Sequence, residues 1–313
     1  MSEGVSIPPG FKNKGYEAQF AKAKQLRDKH KTRDLMLEID AGEAKARIID
    51  LSNKGVTLND PDKVSPLEMD VVLPQKNLYL TKTQADGSVN KENSGFIDSI
   101  AFFPKSQNPG NYKGWDPMAV AVNLFPTSGA KNAAGQDVGS TYNDGAIVKG
   151  VPYSAMHGWR NPESLKPALE VQAQGGTGAS NDCIRATNNP LAFLMGLLLQ
   201  PGRSRFRVVH NRFKVIPNKD AQSGSTTDKI RLRSNPYRPY ANVFEIDETK
   251  TAPKPLTLPK WDLTKLKTWL RAKLNPSAGK TVTLNDQALK QVLNSKRNET
   301  IEVGEVKDTH AGK

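Results

Sequence analysis

The stretch RSRFRVVHNRFKVIP, residues 203 to 217, sets arginines and a lysine among Phe and Val in near-alternation. Successive side chains on a strand point to opposite faces, so Arg203, Arg205 and Arg207 share one face while Phe206 and Val208 take the other. The pattern changes phase near Val209 to Asn211, after which Arg212 and Lys214 are the polar positions and Phe213 and Val215 the apolar ones. A bulge or tight turn at that point keeps both halves basic on the same side. KIRLR, residues 229 to 233, repeats the rule, with Lys229, Arg231 and Arg233 outward and Ile230 and Leu232 inward. Residues 203 to 240 hold ten Lys or Arg against two Asp, which is more than half of the chain's net charge of +13. Like charges facing one another across a sheet cost roughly a few tenths of a kcal/mol per pair, so a polyanion is the expected counterpart.

The chemistry this implies is phosphate tracking. Arg203, Arg205, Arg207, Arg212, Lys214, Lys229, Arg231 and Arg233 are the expected phosphate contacts. Tyr237 and Tyr240, with Phe244, in SNPYRPYANVF are candidate stacking platforms. A basic groove with aromatic platforms tolerates any sequence, each stacked base adding roughly 1 to 3 kcal/mol. The competing readings are a basic face that is solvated or paired within the chain and, for each tyrosine, ordinary packing.

Enzyme motifs are poorly supported. SAGKT, 277 to 281, is similar to the end of a phosphate-binding P-loop, yet Leu274 stands where that loop needs a glycine. GGTGAS, 175 to 180, has flexible backbone amides but lacks the framing strand and long helix of a dinucleotide site, and reads as a linker. His30, His157, His210 and His310 have no metal-ligand spacing among themselves or with Cys183. His210 lies within the basic strand as a possible contact, and His157, beside Trp159, reads as structural. Asp50, Asp60, Asp62 and Asp70 alternate with turns and form no ligand set. The expectation is a protein without catalytic activity, cofactor or metal.

Composition bounds the rest. Lys and Arg outnumber Asp and Glu by 45 to 32 over 313 residues, with a pI near 9.6, so the molecule attracts polyanions. A lone cysteine excludes an intramolecular disulfide and suits a reducing compartment. The first residues lack the order of a secretory signal, and LAFLMGLLL, 191 to 199, is too short to span a bilayer. The expectation is a cytoplasmic protein that does not act on membranes.

The elements that position these residues follow from periodicity. GYEAQFAKAKQLRDKHK, 15 to 31, places Tyr16, Phe20, Ala23 and Leu26 on one helical stripe, either packed on the domain or presented to phosphate or a neighbouring subunit. LMLEI, ARIIDL, GVTL, EMDVVL, LYLTKT and FIDSIAFF read as short strands between residues 35 and 103, and AVAVNLF, 119 to 125, as another. NNPLAFLMGLLLQPG reads as a buried helix capped by Asn188 or Asn189. DLTKLKTWLRAKL, capped by Asp262, and DQALKQVLNSK read as helices within an appendage over 257 to 300.

The expected fold is β-rich α+β: an antiparallel sheet or barrel, OB-like or sandwich-like, with peripheral amphipathic helices at both termini. The expected organisation is an N-terminal arm and helix over 1–34, a β-rich core over 35–250 with a long Gly/Asn-rich loop at 104–150, and a Pro-rich connector with helices over 251–313. The expected function is non-enzymatic binding of single-stranded DNA or RNA by a homo-oligomer or multi-subunit assembly, the terminal helix stripes docking on neighbours. The alternative is a viral or phage coat protein with a basic inner surface. The order VPYSAMHGWR, then NPLAFLMG, then a Gly-Arg-Ser-Arg strand, between residues 151 and 207, resembles the RAMP proteins of the Cas7 type, without that family's glycine-rich loop. That resemblance implies an RNA-binding backbone subunit of a CRISPR effector.

Overall fold

The computed structural model describes residues 17–30, 34–52, 56–60, 65–81, 94–97, 99–103, 119–125, 154–159, 161–178, 183–216, 227–246, 254–276 and 280–308. Tyr16, Asp62, most of the Gly/Asn-rich loop at 104–150, the start of SAGKT and His310 lie outside the described residues.

The chain opens with α1 (Glu17–His30), then β1 (Leu35–Asp40), β2 (Lys45–Asp50), β3 (Val56–Thr57), β4 (Glu68–Val72) and β5 (Asn77–Thr81). Next come β6 (Gly95–Phe96), β7 (Ser99–Phe103), β8 (Ala119–Phe125), β9 (Ser154–His157), α2 (Lys166–Ala173), β10 (Ile184–Ala186), α3 (Asn189–Leu198) and β11 (Arg205–Val209). The remainder is β12 (Phe213–Ile216), β13 (Thr227–Ser234), β14 (Asn242–Ile246), β15 (Lys254–Pro255), α4 (Leu263–Leu274), β16 (Lys280–Leu284), α5 (Asp286–Asn294) and β17 (Glu299–Asp308).

Two compact units result. The larger contains residues 1–172, 177–210 and 240–256; the smaller contains 173–176, 211–239 and 257–313. The larger unit is built on a ten-stranded sheet in the order β6-β11-β1-β2-β4-β10-β9-β8-β7, with β3 paired to β2, which curls into a half-barrel. A three-stranded sheet, β15-β14-β5, belongs to the same unit. The expectation of a purely antiparallel sheet is corrected: β1 and β11, β9 and β10, and β5 and β14 run parallel. Parallel neighbours need long crossovers, and the chain supplies them: more than 160 residues separate β1 from β11. Closely spaced strands do not reveal such late returns. Nor does the mixed sheet identify an OB fold.

The core of the larger unit forms on the face carrying Leu37, Ile39, Ile48 and Phe206, all at most 1 % exposed. Helix α3 is buried nearly throughout, capped as its sequence requires: Asn188 Oδ1 accepts the Leu191 N–H at 3.0 Å. The α1 stripe is used inside the chain. Ala23 and Leu26 are buried, and the Phe20 ring meets that of Phe193 on α3 edge-on at 5.5 Å.

The smaller unit is a four-stranded sheet, β12-β13-β17-β16, with α4 and α5 on one face. Strands β13 and β16 both run antiparallel to β17, so they run in the same direction with β17 between them. Leu266 and Leu270 of α4 and Leu289 and Val292 of α5 pack on Phe213, Ile230, Leu232 and Val303. Asp262 caps α4 by accepting the Lys265 N–H at 2.8 Å, and Asn275 ends it in the left-handed conformation that lets a helix stop. The segment expected to be a helical appendage thus also supplies two strands. KTVTL and ETIEVGEVKD alternate apolar and polar residues in strand fashion, and β17 is the central strand to which β13 pairs.

Candidate nucleic-acid interface

The basic stretch at 203–217 is divided between the two units. β11 joins the ten-stranded sheet beside β1, and β12 begins the four-stranded one, so the phase change near residue 210 is a change of sheet rather than a bulge. Alternation alone cannot separate these cases, since both reset which face the next side chain occupies.

In the larger unit, Arg205 and Arg207 share one face and Phe206 and Val208 the other. Arg203 lies in the turn before β11 and is exposed. Arg205 is half-buried, its guanidinium 4.2 Å from the centre of the Phe96 ring and within 3.3 Å of Ser94 Oγ. Arg207 is buried and donates from Nε to Glu38 Oε2 at 2.6 Å. Strand register explains the pairing: Glu38 stands between Arg207 on β11 and Arg47 on β2, and Arg47 stands opposite Glu68 on β4. A second row places Lys45 between Asp40 and Asp70. Arg47 also reaches Glu43 at 2.5 Å. Although burial opposes it, the Arg47 guanidinium is held above its ordinary value by Glu38, Glu43 and Asp40. Lys45 is likewise raised, against burial, by Asp70 and Glu68. Opposite charges alternate across four strands, and Arg207 belongs to that lattice.

Arg212, in the smaller unit, is buried, and among the described residues it has no carboxylate as a hydrogen-bond partner. Nη1 donates to Ser234 Oγ at 2.9 Å and to the Asn235 carbonyl at 2.6 Å. Nη2 donates to the carbonyls of Leu293 and Ser295 at 3.0 and 3.2 Å, at the C-terminal end of α5, where a positive charge is favourable. Burial lowers its pKa, partly offset by Tyr237. Tyr237 is half-buried and donates its hydroxyl to the Pro259 carbonyl at 2.8 Å. Burial raises its pKa, against the pull of Trp261 and Arg212. Tyr240 is half-buried in the larger unit. Arg207, Arg212 and Tyr237 therefore hold the fold together where phosphate or base contact was expected of them.

Four expected contacts do converge. Lys214, Lys229, Arg231 and Arg233 lie on the face of the four-stranded sheet opposite α4 and α5. Register sets Lys214 directly across from Arg233, Arg231 between Ile216 and Glu302, and Lys229 across from Glu305. Lys229 pairs with Glu302 at 3.0 Å and with Glu305 at 3.6 Å, and its pKa is raised first by the Glu302 hydrogen bond. Glu305 also pairs with Lys307 at 2.7 Å, which lowers its pKa. Part of the repulsion expected between basic strands is thus cancelled by β17. Both glutamates sit in a strand absent from the sequence-based expectation, although their alternation with Ile301, Val303 and Val306 signals it.

Comparison of the chain with protein-family models, curated proteins and solved structures finds no match.

Gly175, Gly178 and His157 are accounted for by packing. A Cβ on Gly178 would stand 1.8 Å from the Leu73 carbonyl oxygen, and one on Gly175 2.2 Å from that of Lys296, so each of these glycines permits a close backbone approach. His157 is buried, with Nδ1 2.7 Å from the Gly158 carbonyl; burial, with Arg185 adding to it, lowers its pKa to about 4. Among the described residues, no group of His, Cys, Asp and Glu is arranged to hold a metal ion, and no helix is long and apolar enough to cross a membrane.

Charge is unevenly shared. The smaller unit holds 18 of the 45 Lys and Arg but only 8 of the 32 Asp and Glu; the larger holds 27 and 24.

Proposed function

We propose that the chain is a non-catalytic protein that binds single-stranded nucleic acid through the helix-free face of its four-stranded sheet. The observation that carries this reading is the direct opposition of Lys214 and Arg233 on that face. Like charges so placed repel, and a phosphate between them removes the repulsion and gains two charge-assisted hydrogen bonds. Arg231 and Lys229 extend the row along β13. The 18-to-8 excess of basic residues in this unit supplies the long-range attraction. Glu302 and Glu305 limit the affinity and screen the face from indiscriminate polyanion binding.

The test is fluorescence anisotropy of the nuclease-treated protein with labelled single-stranded DNA, single-stranded RNA and duplex DNA across a salt series. A preference for one single-stranded form, with affinity falling linearly against salt on logarithmic axes, is the expected result. Weak and equal binding of all three would reduce the face to general surface charge and favour the shell-subunit alternative.

A further inference from the structure

Arg185, on β10 in the larger unit, holds a charge that the ionic lattice of that unit does not reach. Its guanidinium carbon lies over Trp159, 3.9 Å from the ring centre. Nε is buried and has no hydrogen-bond partner, and among the described residues no carboxylate pairs with the group. Burial lowers its pKa, with Cys183 alone opposing. Removing a guanidinium from water without a counter-charge is costly, and stacking on an indole recovers only part of the loss.

The ring beneath is built to stay in place. Asn189, 2 % exposed, accepts the Trp159 backbone N–H at 2.8 Å and donates to its carbonyl at 2.7 Å. The indole Nε1–H donates to Ser164 Oγ at 3.2 Å, and Ser164 is itself fixed by a 2.7 Å bond to the Asn161 carbonyl. Arg185 is half-buried, and with Nε buried its two terminal Nη groups are the N–H donors that can reach a phosphate. Across β9, the register neighbour of Arg185 is His157, held neutral, so it does not compete as a second cation or supply an anion.

We infer that Arg185, held over the Trp159 ring, is a phosphate-binding site that engages the backbone of a single-stranded nucleic acid. The phosphate group is the recognised chemistry, whether it comes from the chain of a nucleic acid or from a free nucleotide. The inference rests on the proposed function for its choice of a nucleic-acid source, but it uses residues of the other unit, so the two can fail separately.

The experiment uses the full chain as wild type, Arg185→Gln and Arg185→Lys. A labelled single-stranded oligonucleotide is titrated by anisotropy over a salt series. Inorganic phosphate and a nucleoside monophosphate are titrated by tryptophan fluorescence, with Trp159→Phe identifying the part of the signal that belongs to this ring. Arg185→Gln is expected to weaken oligonucleotide binding about tenfold and to reduce the salt slope by about 0.7, one phosphate contact on a single strand. Its melting temperature is expected to equal or exceed that of the wild type, because an uncompensated charge has been removed. Arg185→Lys is expected to recover only part of the affinity, since an ammonium lacks the planar fork.

If Arg185→Gln lowers the melting temperature while leaving affinity and slope unchanged, Arg185 is a packing residue and the inference is overturned. If the oligonucleotide does not bind but phosphate or the mononucleotide shifts the Trp159 signal only when Arg185 is present, the phosphate site stands and the sheet-face reading falls. If no probe responds to Arg185, the site is refuted whatever the sheet face does.

Discussion

In the larger unit Arg207 lies beside Glu38 and Arg47 beside Glu43, each cation set among carboxylates, whereas in the smaller unit Lys214 lies directly across from Arg233. The two arrangements come from adjacent pieces of one basic stretch, only a few residues apart in sequence. What separates them is the strand each piece meets. β11 meets β1, which carries Glu38 at the matching register, while β12 meets β13, whose outward residues are basic. The fate of a charged strand is therefore decided by a partner that can lie far away in sequence, and a local count of arginines overstates the surface they form.

The sharpest way to break this contrast is to remove Glu38. Replacing it with Gln leaves Arg207 and Arg47 buried with one fewer carboxylate between them, and loss of one member of a buried ionic set costs about 3 to 5 kcal/mol. Urea unfolding of Glu38→Gln measures the loss. A change below about 1 kcal/mol, the scale of an exposed pair, would mean that the rows of alternating charge do not hold the larger unit together.

A smaller effect separates the units by pH. His157 is neutral in the folded larger unit, with a pKa of about 4 against an ordinary value of 6.5. Above 6.5 both folded and unfolded chains hold it neutral and its contribution is fully present. As pH falls from 6.5 towards 4, the unfolded chain takes up a proton that the folded chain does not, and stability declines by up to about 3 kcal/mol. Denaturant unfolding across this window should show a shallower decline for His157→Gln than for the wild type. Parallel curves would show that burial does not hold this ring neutral.

Much of the frame was legible. The short apolar runs LMLEI, ARIIDL and AVAVNLF marked β1, β2 and β8, and Asn188 and Asp262 marked the starts of α3 and α4, because strand-forming runs and helix capping are local properties. The pairing of strands was not legible. Nothing local states that β11 returns beside β1 in parallel, or that β17 lies between β13 and β16. The outward row on β13 was legible only in part for that reason: Lys229, Arg231 and Arg233 alternate as their sequence requires, but their neighbours Glu302 and Glu305 arrive some seventy residues later. Arg185 and Trp159 carried no signal as a pair, since Trp159 follows β9 and Arg185 stands on β10, and they meet only in the folded chain.

Whether Lys214 and Arg233 face a polyanion decides between a binding surface and general surface charge. The decisive measurement is the salt dependence of single-stranded oligonucleotide binding for the wild type and for the chain carrying both Lys214→Glu and Arg233→Glu. With that phosphate no longer engaged, the logarithmic slope should fall by about 0.7 and affinity should drop at every salt concentration, with the melting temperature unchanged because both side chains lie on the helix-free face. Equal slopes and affinities in a folded double variant would contradict the claim and remove this face from nucleic-acid binding.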